Sequence, residues 1–125
     1  KNQARHFDSF CKIQTLSDAW DLSFFNPAYS CEADSTFTGS IELVWQGHTV
    51  KIMEIPGHSP GSMGIWIDEL FFSGDSLLEG KEIELRFPGG SKKQWEEYGK
   101  KIIDAIPEGT MVYPGHYGEF ELRRG

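Results

Sequence analysis

The chain has 125 residues, which allows at most one small domain with a single modest core. Its 12 basic and 19 acidic residues leave a net charge of -7; a phosphate binder ordinarily presents a basic patch, so nucleic acid and anionic membrane surfaces are poor partners. No apolar run approaches the length of a membrane span and no signal peptide is visible, so a cytoplasmic protein is expected.

Taken in chain order, "CKIQTL" (11–16) reads as a short strand, and residues 17–38 read as a long loop with one helical turn. Cys11 and Cys31 have neither CxxC nor zinc-ribbon spacing; they are paired or free, with buried free thiols preferred. "SIELVWQGHTVKIMEI" contains two strand-like runs around Gln46-Gly47-His48, a hairpin signal with glycine at the turn. "SMGIWIDELFFSGD" repeats the pattern with Asp68-Glu69 as the turn, and "LLEGKEIELRFPGG" is a connection bounded by glycine and proline. A helix follows over 91–106. Ser91 is its N-cap, and Gln94 completes a capping-box pattern. Trp95, Tyr98, Ile102 and Ile106 recur at intervals of three and four as one apolar face, and Pro107 and Gly109 stop the helix. "TMVYPGH" is a last short strand. Strands, helix and strand in that order give a mixed α and β fold.

Three polar residues share one setting, each just past the carboxyl end of an apolar strand and each preceded by glycine. They are His58 after "KIMEIPG", Asp75 after "LFFSG" and His116 after "MVYPG". Strand ends give rigid anchorage, and glycine lets the backbone turn sharply or approach a ligand. Each alone has an ordinary explanation: a turn histidine, a turn-capping aspartate, a solvent-facing histidine. Together, two imidazoles and a carboxylate suit zinc, and iron or manganese would also accept them. His6, near the amino terminus, and His48, in a hairpin turn, are read as having no such role.

The stretch "IPGHSPGSMGIWIDELFFSGDSLLEG" resembles the metallo-β-lactamase superfamily, in which a T-P-G-H-T-P-G-S loop is followed by a hairpin and F-x-G-D. "PGGSKKQWEEYGKKIIDAIPEGTMVYPGH" resembles the continuation in the glyoxalase II-like branch. The order and spacing agree from about Ile41 to His116. The resemblance implies the carboxyl-terminal portion of an αββα sandwich, with two zinc ions at one edge between the sheets. By it, His58 completes the first metal site, Asp75 bridges both metals and acts in catalysis, and His116 belongs to the second.

The family's upstream H-x-H-x-D-H segment has no counterpart. "ARHFDSF" is the nearest string; His6, Phe7 and Asp8 echo its H-x-D part, with Ala4 and Ser9 in two ligand positions. The strand-like "FCKIQTL" follows too soon for that alignment. With no methionine at Lys1, residues 1–125 are read as a partial domain that begins downstream of the segment. Two protein ligands per ion fall short of the three of a catalytic zinc site. The chain alone is therefore expected to be inactive or metal-free, and to gain cover by forming a homo-oligomer or by association with the absent half.

The function implied for the intact protein is that of a metal-dependent hydrolase, metal-activated hydroxide attacking a thioester, ester or amide of a small-molecule substrate. The glyoxalase II-like helix favours thioesters. Arg86, Lys92 and Lys93 read as a solvated basic cluster, with contact to a substrate's carboxylates as the alternative. A non-catalytic binding or regulatory module on the same fold is the competing reading, and a two-iron redox enzyme is a third.

Overall fold

A computed structural model of the protein describes residues 34–124. His6, Asp8, the 11–16 segment, Cys11 and Cys31 lie outside them, as does most of the 17–38 segment. No helix among the described residues is long and apolar enough to cross a membrane.

Six strands form one sheet in the order β1-β2-β3-β4-β5-β6. They are β1 (Ser40–Trp45), β2 (His48–Glu54), β3 (Met63–Ile67), β4 (Leu70–Gly74), β5 (Met111–Pro114) and β6 (Phe120–Glu121). The first two hairpins are those expected. Gln46 and Gly47, at φ 47° and 80°, close the β1–β2 turn in the left-handed conformation that matches strand twist. His48 therefore opens β2 opposite Trp45 and does not sit in the turn. Asp68 at φ 52° turns β3 into β4, and its carboxylate accepts from His48 Nδ1 at 2.5 Å and from the Thr49 amide at 3.1 Å. β6 was not expected. Its two residues show no period, and Phe120 is a buried residue that pairs with Val112.

β4 and β5 pair in parallel. A parallel pair needs a long crossover, and the helix supplies it. Ser91 caps the start, its Oγ accepting from the Gln94 amide at 3.1 Å. The helix is not uniform: α1 (Lys92–Gln94) runs into a π turn (Trp95–Gly99) and then α2 (Lys100–Asp104). The Lys100 amide bonds Trp95 O, five residues back. That wider turn corrects the expected apolar face. Tyr98 is turned out to solvent, and Gly99 and Ile103 take the buried positions, with Ile106 closing the stripe. Past the helix end, the Arg124 guanidinium donates to the carbonyls of Ile106 and Ile103 at 2.5 and 2.7 Å, satisfying groups that a helix terminus leaves open.

The core lies between helix and sheet: Ile55, Phe71, Val112, Phe120, Leu122, Ile103 and Ile106, with Trp66 and Trp95 packed against it. On the opposite sheet face Ile41, Ile52, Ile65, Phe72 and Tyr113 stand in register and only partly buried, Phe72 stacking on Tyr113 at 5.1 Å. Such a two-sided apolar sheet is the inner layer of a sandwich.

The helix presses on the loop after β2. A Cβ on Gly99 would sit 2.3 Å from Pro56 O, and one on Gly57 would sit 2.8 Å from Trp95 Cβ. The Gly57 carbonyl meanwhile accepts from the Ser91 amide at 2.8 Å. Gly99→Ala is accordingly expected to destabilise the chain by about 1–3 kcal/mol, as overpacking does. Tyr98→Ala, two-fifths buried at most, is expected to cost about 0.5 kcal/mol or less. Urea unfolding of both variants checks the order.

Candidate metal centre

Strand direction brings the three sequence-selected residues together. β2, β3 and β4 alternate in direction, and β5 runs with β4. So β2, β4 and β5 all point the same way, and their carboxyl ends share one end of the sheet. His58, Asp75 and His116 follow those three ends.

Asp75 stands between the imidazoles. His58 Nε2 lies 3.3 Å from Oδ2 and His116 Nε2 lies 3.4 Å from Oδ1. Each ring therefore addresses its own oxygen of one carboxylate. The close approach depends on Gly115, whose amide bonds Gly74 O at 2.8 Å and where a Cβ would sit 2.6 Å from Asp75 Oδ1. Gly74, at φ 54°, turns the chain so that Asp75 faces that gap. The two rings differ in setting. The His58 side chain is 18% exposed and that of His116 66%, so one is built into the protein and the other faces outward.

His58 also has a second partner. Its Nδ1 donates to the Glu84 backbone carbonyl at 2.7 Å, which directs Nε2 at Asp75. Ligating histidines are commonly oriented by such a bond. Glu84 lies in the connection that sequence reading left as a bare linker, and no side-chain pattern announces a backbone acceptor. Its carboxylate is paired with Arg86, which holds it down at about 2. Arg86 is thereby committed to Glu84 at 2.7 and 2.9 Å and does not belong to a free basic cluster, whereas Lys92 lies 3.8 Å from Glu96 and Lys93 is exposed. Two further residues were missed. Tyr117, in the left-handed region at φ 65°, follows His116, and the Lys81 ammonium lies 5.4 Å over its ring.

Hydrogen bonding with Asp75 raises the His58 pKa above its ordinary value, against the opposing effect of burial, with the Glu84 carbonyl adding to the rise. The same bond lowers that of Asp75. Each group thus favours the charged form of the other. Donor types fit a divalent ion, since two imidazole nitrogens and a bridging carboxylate suit zinc or iron. Donor number does not complete a site: among the described residues no group of three or more His, Cys, Asp or Glu side chains is arranged around one ion. Each candidate position has one imidazole and one carboxylate oxygen.

A groove of 470 Å³ between the β1–β2 edge and the helix lies elsewhere; its lining of Met53, Pro60, Tyr98 and Ile102 with Lys51 and Glu54 offers no comparable set of donors.

In metal-free protein, Asp75→Asn removes the carboxylate that favours the imidazolium. The His58 titration midpoint should then move down toward 6.5, because the charged ring loses its partner while burial still opposes it. An NMR titration of the ring protons reads the shift.

No protein-family model matches the chain. It is 36% identical over 66 residues to the hydroxyacylglutathione hydrolase of Alkalilimnicola ehrlichii, covering 53% of this chain and 25% of that protein. Other hydroxyacylglutathione hydrolases match too, and the chain spans less than half the length of each. Among solved structures, the BLEG-1 B3 metallo-β-lactamase has a TM-score of 0.64 at 28% identity, covering 74% of this chain and 45% of that one. A protein solved in a di-iron-bound form has a TM-score of 0.64 at 26% identity, covering 84% and 50%. The chain carries about half of a metallo-β-lactamase fold, and its relatives include hydroxyacylglutathione hydrolases and a probable metallo-hydrolase of Bacillus subtilis.

Proposed function

We propose that the intact protein is a metal-dependent hydrolase of small-molecule acyl substrates, thioesters first among them, and that His58, Asp75 and His116 hold its metal pair. The observation that carries this reading is the double contact at Asp75, one imidazole on each carboxylate oxygen at 3.3 and 3.4 Å. Sequence kinship with hydroxyacylglutathione hydrolases supports the thioester preference. Zinc is the metal first expected, with iron and manganese as alternatives on the same donors.

When bound, the ions supply Lewis acidity, which makes water nucleophilic near neutral pH and polarises a substrate carbonyl. His58 would hold its ion through Nε2 while Nδ1 stays on Glu84 O. Asp75 would offer one oxygen to each ion and fix their separation. His116, on the exposed side, would hold the second ion where a substrate enters. Lys81 beside Tyr117 places a positive charge near that entrance, suited to an anionic group on the substrate. The remaining ligands would come from outside the described residues, as would the layer covering Ile52, Ile65, Phe72 and Tyr113. A homo-oligomer is the other way to cover that face. We place the protein in the cytoplasm, and its acidic balance argues against nucleic acid and anionic membrane surfaces as partners.

The count of two donors per ion favours a second reading for the 125-residue chain alone, that of a non-catalytic module. The test is hydrolysis of acylated glutathione by metal-loaded protein that includes its native upstream sequence. Asp75→Ala should lower kcat/KM by at least about 10²-fold, the scale on which loss of transition-state charge stabilisation is felt. Activity independent of Asp75, or none in the intact protein, would contradict the hydrolase assignment. The 125-residue chain itself should retain no stoichiometric zinc through gel filtration, measured by elemental analysis.

A further inference from the structure

We infer that a hook between Glu84 and Arg86 sets the orientation of the His58 ring, which makes Arg86 a positioning residue for the centre. The inference rests on the place given to His58 above, but it is read on the ring itself, without metal or substrate.

The ring's anchor is a backbone carbonyl 26 residues away in sequence. That carbonyl lies in a segment with no strand or helix of its own: residues 82–86 carry no regular structure, and only the Leu78–Lys81 bridge precedes them. No sheet ladder fixes the peptide that His58 relies on. Local side-chain bonds do so instead. The Glu84 carboxylate curls forward so that Oε1 accepts from the Arg86 amide at 2.7 Å and from Arg86 Nε at 2.9 Å. Oε2 accepts from Nη2 at 2.7 Å. A fork-to-fork arginine–carboxylate pair is geometrically demanding, and here it closes on its own backbone, fixing the turn of residues 84–86. The Glu84 carbonyl is then held on the side facing His58.

An exposed ion pair of this kind adds little to global stability; Arg86 is 89% exposed. Its effect is therefore expected on geometry and not on folding. Lysine in place of Arg86 has the charge but not the fork, so it should restore the anchor only in part.

The test is NMR of the full chain labelled with 15N-histidine, at a pH where the rings are protonated. In the wild type the His58 Nδ1 proton should be visible and protected from solvent exchange by the Glu84 carbonyl. In Arg86→Ala and Glu84→Gln that resonance should be lost to exchange, with the melting temperature unchanged. Arg86→Lys should show intermediate protection, and the Glu84→Gln/Arg86→Ala double variant should do no more than either single change, as partners in one interaction do. The His48 Nδ1 proton on Asp68, at the other end of β2, is the internal reference and should persist in all of them. Undiminished His58 Nδ1 protection in both single variants would overturn the inference. Absence of hydrolase activity in the metal-loaded intact protein would remove the functional reading and leave this result standing.

Discussion

The Asp75 carboxylate has to serve two imidazoles at once, with Oδ2 turned to His58 and Oδ1 to His116. Two positive centres cannot be brought this near each other without a negative charge between them. In metal-free protein the carboxylate favours the charged form of the His58 ring; with metal bound, the ions would supply the positive charge. Other local features serve this sharing. Gly115 removes a side chain that would strike Oδ1, and strands β2, β4 and β5 run the same way so that all three residues emerge at one end of the sheet.

The helix acts on the same centre from behind. Its π turn puts Gly99, and not Tyr98, against Pro56, while Trp95 fills the space that Gly57 leaves open. An inserted residue in a helix costs hydrogen-bond quality and tends to mark functional positions. Here it lets the helix seat directly on the loop that presents His58. The His58 side chain is largely covered and that of His116 largely exposed, so the centre has one closed side and one open side.

Much of this was legible in the sequence where local chemistry is loud. Glycine at the turns announced both hairpins, Ser91 with Gln94 announced the helix start, and the repeated strand-Gly-polar pattern picked out His58, Asp75 and His116. Tyr98 was misplaced because a 3.6-residue period assumes a regular helix, and nothing in "WEEYGKK" declares a wider turn. Glu84 was overlooked because its contribution to His58 is a main-chain carbonyl, the same atom in every residue. β6 depends on pairing with Val112, a contact distant in sequence. Arg86 looked like part of a basic cluster because a local pair with Glu84 cannot be told from a solvated charge by spacing alone.

The central claim is that one carboxylate bridges two metal positions, each with one of these histidines. Anomalous scattering from crystals of the metal-loaded intact protein tests it most directly. The account predicts two peaks, one within about 2.0–2.2 Å of His58 Nε2 and Asp75 Oδ2, the other equally near His116 Nε2 and Asp75 Oδ1. Fully loaded crystals with a single peak, or with metal bound away from Asp75, would contradict it.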